Sequence, residues 1–146
     1  MDHSPDGALA ELADIVITVA RELQSPHAVV DGVVPLTPTE AAVLRHIDRR
    51  PGLSPGALAA ATGLHRTNLS TTLRALETKG LIRRSHDERD ARSVAVHPTA
   101  SAKESIRRIR THWGEILRAA MGGDLTAVNE ALAVLERLEN GLKSRR

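Results

Sequence analysis

The chain has 146 residues, of which 41% are hydrophobic and 26% are charged, a balance typical of soluble proteins. No apolar run approaches the roughly 18 residues that a membrane-spanning helix needs. The acidic first residues lack the basic and apolar parts of a signal peptide, so we expect a cytoplasmic protein. The absence of cysteine excludes a disulfide framework, a thiolate metal site and a thiol redox switch.

The net charge of +2 conceals an uneven distribution along the chain. Residues 1–44 carry one Arg and seven acidic residues, residues 45–118 carry fifteen Lys or Arg and seven acidic residues, and residues 119–146 carry four of each sign. A basic middle between an acidic and a neutral end favours a polyanion-binding surface in the centre of the chain. Chance clustering on a solvated surface is the alternative.

Two helices are predicted in the first third of the chain. Over 8–24, apolar residues recur at steps of three and four and form one wide stripe. A loop punctuated by proline and glycine follows. Thr37 then matches a helix N-cap, with Pro38 at the first helical position and Glu40 completing a capping box. A Pro-Gly pair ends this second helix.

The next segment predicts a helix-turn-helix. Ser54 and Pro55 mark the start of a third helix, and Gly63 fits a left-handed cap at its end. A fourth helix over 65–80 follows almost at once, so that two helices meet through a tight turn. The fourth helix has an inner leucine face and, over 66–74, an outer face without acidic residues. The outer face carries Arg66, Thr67, Asn68, Ser70, Thr71 and Arg74.

A two-stranded ribbon and two further helices complete the predicted order. "LIRRS" and "SVAVH" flank a charged tip and predict the ribbon. We expect His97 and Pro98 to open a fifth helix, and Asp124 to cap a sixth helix with a leucine stripe over 125–142. The helices at both ends are too apolar to face water, so we expect them to pack against each other and against a second chain. A compact monomeric bundle is the alternative.

The outer face of the fourth helix has the chemistry that reads base edges in a major groove. Arg donates two hydrogen bonds to guanine, Asn pairs with adenine in a bidentate manner, and Ser and Thr hydroxyls adapt to several partners. Because this face also lacks carboxylates that would repel phosphate, we favour a DNA-binding helix over an ordinary polar surface.

The ribbon tip, within "SHDERDARSV", is interpreted as a minor-groove contact. A narrow minor groove concentrates negative potential and favours Arg. Arg89 would be the probe, while Asp87 and Asp90 would hold it or the loop in place through charge-assisted hydrogen bonds. Arg92 would make a second contact, to the DNA backbone. The alternative is a solvated turn.

These segments resemble the winged helix-turn-helix of the MarR family of bacterial transcription regulators. A D-x-R-D-x-R wing matches at Asp87, Arg89, Asp90 and Arg92, and "LETKGLIRR" matches the entry into the wing. The resemblance is specific over 54–100 and departs after the wing, where His97 stands in place of the usual Thr cap. It implies an intertwined homodimer on a pseudo-palindromic operator, usually acting as a repressor. It also allows release by a small ligand bound between the dimerisation helices and the DNA-binding part.

Other function classes find less support in the sequence. The seven His are scattered without metal-ligand spacing, so no metal site is predicted. No phosphate loop, nucleophile elbow or paired acids outside the wing indicate an enzyme or a cofactor. His46, His112 and Trp113 are candidates for an effector pocket, although Trp113 lies on an apolar face typical of a core and lone histidines are usually structural.

We therefore predict a mainly α-helical protein with a small β-wing. Residues 1–36 and 101–146 would form dimerisation helices around a winged helix-turn-helix over 37–100. The predicted function is ligand-responsive, sequence-specific binding of double-stranded DNA by a transcription repressor. The alternative is a helical, dimeric interaction or architectural module without sequence-specific DNA binding. The candidate DNA contacts are Ser54, Arg66, Thr67, Asn68, Ser70, Thr71, Arg74, Asp87, Arg89, Asp90 and Arg92.

Overall fold

A computed structural model describes residues 4–24, 30–87 and 90–145 of the chain, with only the backbone of residues 87 and 90–93. The predicted order of four helices, two strands and two helices is confirmed. The elements are α1 (Pro5–Leu23), α2 (Pro38–Arg49), α3 (Pro55–Thr62), α4 (Arg66–Thr78), β1 (Ile82–Asp87), β2 (Asp90–Pro98), α5 (Ala100–Ala120) and α6 (Val128–Lys143). The chain folds into two compact units, Met1–Asp31 and Gly32–Arg146. No helix within the described ranges is long and apolar enough to cross a membrane.

Helix α1, in the first unit, starts earlier than its apolar periodicity predicts. The Ser4 hydroxyl accepts a hydrogen bond of 3.1 Å from the Gly7 amide, and Pro5 occupies the first helical position. This N-cap adds one turn that the apolar stripe does not reveal. Much of the stripe lies open in the single chain, where Leu9 is 59% exposed and Ile15 is 54% exposed.

The second unit has one hydrophobic core, built where α2, α3, α4, the ribbon and the start of α5 meet. The buried apolar residues are Val43, Leu44, Ile47, Leu58, Leu69, Leu73, Leu76, Leu81, Ile82, Val96, Ala102 and Ile106. Helix α5 starts in this core and extends out of it. Ile106 is buried, Trp113 is half-buried, and Ile116 and Leu117 are exposed. Helix α6 exposes its leucine stripe, including Leu132 and Leu142.

The predicted capping signals around the helix-turn-helix are confirmed. The Ser54 hydroxyl accepts a hydrogen bond of 3.2 Å from the Ala57 amide, which satisfies a first-turn donor of α3. Gly63 ends α3 with φ of +71°, a left-handed conformation that disfavours residues with a side chain. Only two residues then separate this turn from α4, so the orientation of α4 relative to α3 is set by the turn.

The ribbon is longer than predicted, and the expected start of α5 at His97 and Pro98 is wrong. Both residues belong to β2, where His97 pairs with Arg83 and Pro98 with Ile82. Thr99 is the true cap, since its hydroxyl accepts from the Ala102 amide at 3.2 Å and donates to the Gly80 carbonyl at 2.8 Å. A Thr cap is therefore present two residues after His97.

The expected cap of the last helix by Asp124 is also wrong. Its carboxylate accepts hydrogen bonds from the amide and hydroxyl of Thr126, at 3.0 and 2.7 Å, and so closes a local turn. Helix α6 begins only at Val128, preceded by Ala127, which makes no side-chain cap. The predicted break after α5 is confirmed, because Gly122 and Gly123 both have positive φ.

The buried carboxylate of Glu40 connects the start of α2 with the end of α4. Oε2 of Glu40, in the first turn of α2, accepts hydrogen bonds from the Thr37 amide at 2.8 Å and from Nζ of Lys79 at 2.7 Å. Lys79 follows the last turn of α4 and also donates to the carbonyl of Pro35 at 3.0 Å. One ammonium group thus holds the segment before α2 and the end of α4 together.

We predict that Glu40 stabilises the fold in a pH-dependent manner. Burial alone would raise the pKa of this carboxyl group, but hydrogen bonds from Lys79 and Thr37, with the charge of Lys79, hold the pKa below its ordinary value. A lowered pKa in the folded state means that the stabilisation is complete above the unfolded-state pKa of about 4.3 and is lost as the pH falls through the folded-state value.

Glu40→Gln should therefore lower the free energy of unfolding at pH 7 by about 1–3 kcal/mol. The difference from the unmodified protein should shrink as the pH falls below about 4. Urea denaturation at pH 7, 5 and 3 measures it, and Glu40→Gln in a Lys79→Met background is the control, where the substitution should cost less. An equal loss at pH 7 and pH 3 would contradict the assignment.

Candidate nucleic-acid interface

Helix α4 is held by its leucines, and this fixes the direction of its other face. Leu69, Leu73 and Leu76 are each no more than 2% exposed and form part of the core. The six polar residues predicted for the outer face are all exposed: Arg66, Thr67, Asn68, Ser70, Thr71 and Arg74. The structure therefore brings these six candidates together on one continuous surface.

The hydroxyl groups near this surface have different local roles. Thr71 donates to the carbonyl of Thr67 at 3.1 Å and keeps its hydroxyl oxygen available as an acceptor. Thr72, which the sequence did not single out, is buried and donates to the carbonyl of Asn68 at 2.8 Å. Among the described residues, no hydrogen bond or ion pair occupies the side chains of Asn68 and Ser70. Both remain available to a ligand.

Ser54, the candidate contact on α3, serves as the N-cap described above. Its side-chain oxygen accepts from the Ala57 amide, so the hydroxyl hydrogen is the part left for another acceptor. Its role in DNA binding stays a prediction.

Two of the candidates in the wing, Asp87 and Asp90, lie at the described ends of β1 and β2. The backbone of Asp87 pairs with that of Asp90, across an irregularity in the register after His86. Arg89 lies outside the described residues, as do the side chains of Asp87, Asp90 and Arg92. The proposed division of roles within the wing stays a prediction.

Sequence reasoning missed Arg84 in β1. Its Nε lies 3.3 Å from Oε2 of Glu77 on α4, and it lines a groove together with Arg66 and Ser70. Strand alternation was the available signal. In "LIRRS", Ile82 points into the core, so Arg84, two residues on, lies on the same face as Ile82, the face toward α4.

The three candidates for an effector pocket lie on α2 and α5 but do not share one described cavity. The guanidinium of Arg45 lies 5.9 Å from the centre of the Trp113 ring, a cation–π contact between the helices. Burial, and then the charges of Arg49 and Arg110, lower the pKa of Arg45. His46 Nδ1 is 3.1 Å from the carbonyl of Ala42. Nε2 of His112 is buried and has no hydrogen-bond partner among the described residues.

A cleft between the end of α2 and the first half of α5 is lined by other residues. These are Asp48, Pro51, Lys103, Ile106, Arg107, Arg110 and Thr111. Asp48 lies 3.8 Å from Arg110, and Arg107 is paired with Glu104. With Glu104 counted, three cations meet two carboxylates, so the lining keeps a net positive charge, and Lys103 has no ion-pair partner among the described residues. Within the described ranges, no group of His, Asp or Glu is arranged to hold a metal ion.

The three-helix core, the exposed face of α4 and the two-stranded ribbon define a winged helix-turn-helix protein. The comparison with known families agrees, because residues 34–93 match the model of the MarR family. The matched segment contains the helix-turn-helix and the start of β2, in agreement with the resemblance seen in the sequence.

Solved structures with the same fold cover almost the whole chain. The transcriptional regulator SlyA is 19% identical, with a TM-score of 0.70 over 92% of this chain and 95% of that one. The multiple antibiotic resistance repressor MarR is 23% identical, with a TM-score of 0.67 over 97% and 96%. FabT of Streptococcus pneumoniae, in complex with DNA, is 19% identical, with a TM-score of 0.64 over 97% and 96%. At these identities the likeness shows the fold. No curated protein sequence matches the chain.

Proposed function

We propose that this chain is a homodimeric transcription regulator that binds double-stranded DNA in a sequence-specific manner. The observation that carries the proposal is the exposed face of α4 over residues 66–74, which offers two Arg, one Asn and three hydroxyl groups and no carboxylate. Glu77, in the last turn of α4, is paired with Arg84. A helix with this face fits a major groove, where Arg and Asn distinguish base pairs by bidentate hydrogen bonds. A regulator of this kind needs no catalytic group.

The charge distribution supports the same proposal. The basic residues are concentrated in 45–118, the part of the chain that contains α4 and the ribbon. Such a stretch attracts phosphate and strengthens binding to any duplex, while base contacts from α4 supply the preference for one sequence. A structural neighbour in complex with DNA, FabT, has the same fold.

The experiment that tests the proposal is a mobility shift with the DNA upstream of the chain's own gene. A retarded band that survives excess unrelated duplex supports sequence-specific binding. If binding is abolished by the unrelated competitor, the alternative is favoured, namely a helical dimeric module that interacts with other proteins or with DNA of any sequence.

Two residues at the interface should affect DNA binding in different ways. Asn68→Ala should reduce the discrimination between operator and unrelated duplex by about 1–3 kcal/mol for each base that the side chain reads, with little change in salt dependence. Arg89→Ala should weaken binding to both duplexes and lower the magnitude of the salt slope by roughly one per Arg removed. Fluorescence anisotropy across a salt series measures both, with Asn140→Ala on α6 as the control for Asn68.

Asp87→Ala tests the interpretation of the wing tip. Loss of a negative charge should tighten DNA binding by simple electrostatics, whereas loss of a group that orders Arg89 should weaken it. Tighter binding by Asp87→Ala, with Arg89→Ala behaving like the unmodified protein, would leave the tip as a solvated turn.

The proposed dimer follows from apolar surface that one chain leaves open. In α1 the exposed residues include Leu9, Ile15 and Ile17, and in α6 they include Leu132 and Leu142. An apolar stripe left exposed along a helix is characteristic of an interface between subunits. Residues 1–36 and 101–146 would supply dimerisation helices, and the two copies of α4 would meet half-sites about 34 Å apart.

We expect Leu135→Glu on the α6 stripe to dissociate the dimer. Leu135 is 42% exposed in the single chain, so the substitution affects an interface more than the core. Sedimentation velocity should show a smaller species, and operator affinity should fall because two linked half-sites become independent. Glu136→Gln, the neighbouring position, is the control. A monomeric unmodified protein with full operator affinity would contradict the proposal.

We also propose that the protein is a repressor released by a small organic effector. The basic cleft between α2 and α5 is the candidate site, with His46, His112 and Trp113 on the same two helices. A ligand held there would favour one spacing of the two α4 helices over another. If the effector binds the protein in one spacing more tightly than in the other by about 1–3 kcal/mol, operator affinity would change about 5- to 150-fold.

Small organic acids should therefore weaken operator binding more than their neutral amides, since the cleft is basic. Anisotropy with a panel of acid and amide pairs measures this, starting with benzoate and benzamide. Lys103→Ala should reduce the response while leaving operator affinity in the absence of acid unchanged. Constant affinity across the panel, together with release by a metal ion or peroxide, would contradict the proposal.

A further inference from the structure

A groove of about 270 Å³ lies between α3, α4 and β1, beside the exposed face of α4. Its apolar floor includes Leu69 and Leu73, which belong to the core. Polar and charged side chains make its rim: Arg66 and Ser70 come from α4, and Arg84 comes from β1. Arg66 and Ser70 are also members of the outer face of α4, so the groove and that face form one surface.

The charges at the groove are poorly neutralised. Arg84 is paired with Glu77 through a single contact of 3.3 Å, and the two side chains are 33% and 44% exposed. An ion pair this open to water is weak and is readily exchanged for a stronger partner. Arg66 has no ion-pair partner among the described residues. Two guanidinium groups therefore line the groove, and the carboxylate of Glu77 is paired with one of them, that of Arg84.

A duplex on the outer face of α4 would bring one of its strands to this groove. Phosphodiester oxygens carry a full negative charge and match the planar fork of a guanidinium group in geometry. The Ser70 hydroxyl adds a neutral donor beside the two cations. The floor side chains Leu69 and Leu73 carry no polar atom that would compete for the arginines.

We propose that this groove is a binding site for a DNA backbone phosphodiester, and that Arg84 exchanges Glu77 for the phosphate when DNA binds. The inference rests on the proposed function and adds a residue to it. In the free protein, Glu77 holds the Arg84 side chain beside the groove. When DNA binds, Glu77 competes with the phosphate for that side chain.

The adjacent residue Arg83 offers a matched control. Successive side chains of a strand point to opposite faces, so Arg83 lies away from α4 while Arg84 faces it. Replacing either residue by Gln removes one positive charge from the same strand. A difference between the two variants therefore reports position rather than net charge.

The experiment measures operator binding by fluorescence anisotropy across a salt series for Arg84→Gln, Arg83→Gln, Glu77→Gln and the double variant Glu77→Gln/Arg84→Gln. Arg84→Gln should weaken binding about tenfold and lower the magnitude of the salt slope by about two per dimer, one for each phosphate that Arg84 no longer neutralises. Arg83→Gln should change both quantities much less. Glu77→Gln should tighten binding several-fold because Arg84 is released.

The double variant separates the exchange from general electrostatics. If Glu77 acts through Arg84, the double variant should bind like Arg84→Gln. If Glu77 only repels DNA, its replacement should tighten binding by the same factor in both backgrounds, and that result would overturn the exchange. Circular dichroism and thermal melting identify a variant that fails to fold, and Arg84→Lys then takes the place of Arg84→Gln, with a smaller loss expected.

Two further outcomes distinguish a failure of this site from a failure of the proposed function. Equal effects of Arg84→Gln and Arg83→Gln in a protein that binds its operator would overturn this site and leave the proposed function intact. An unmodified protein that binds no duplex would overturn the proposed function, and this site with it.

Discussion

The burial of three leucines on α4 is the constraint on which the proposed interface depends. Leu69, Leu73 and Leu76 lie in the core, and truncation of such a residue typically costs about 2–5 kcal/mol. The helix cannot rotate without exposing them. The polar residues at the intervening positions are therefore held outward, and the left-handed Gly63 sets the angle at which α4 leaves α3. Apolar packing thus determines which polar groups a duplex would meet.

The parts of the fold that follow from local chemistry could be predicted from the sequence. Thr37 with Pro38 and Glu40, and Ser54 with Pro55, carry their own start signals, since a side-chain oxygen satisfies first-turn amides and proline fits the first helical position. The inner and outer faces of α4 followed from helical periodicity alone. Residues 54–100, which include the wing motif, were also enough to show the resemblance to the MarR family, whose model matches residues 34–93.

The incorrect predictions concern residues that fit more than one local structure. The carboxylate of Asp124 can cap a helix or close a turn by accepting hydrogen bonds from Thr126. Which of the two forms depends on the backbone conformation of the residues that follow. His97 and Pro98 were expected to open α5, but the pairing of β2 with β1 continues through both and ends one residue beyond "SVAVH". Arg84 and Arg45 were missed for another reason: their significance lies in contacts with Glu77 and Trp113, seven and sixty-eight positions away along the chain.

The base of the ribbon is fixed independently of its tip. The backbone of Val96 accepts from the Gly52 amide at 2.8 Å and donates to the Leu53 carbonyl at 3.0 Å, and Thr99 joins the end of β2 to the carbonyls of Gly80 and Leu81. The ribbon's buried core residues in the described part of the chain, Ile82 and Val96, both lie at this end. Substitutions at the tip should therefore have little effect on folding, so that the proposed DNA-binding preference can change through a few residues while the rest of the fold stays the same.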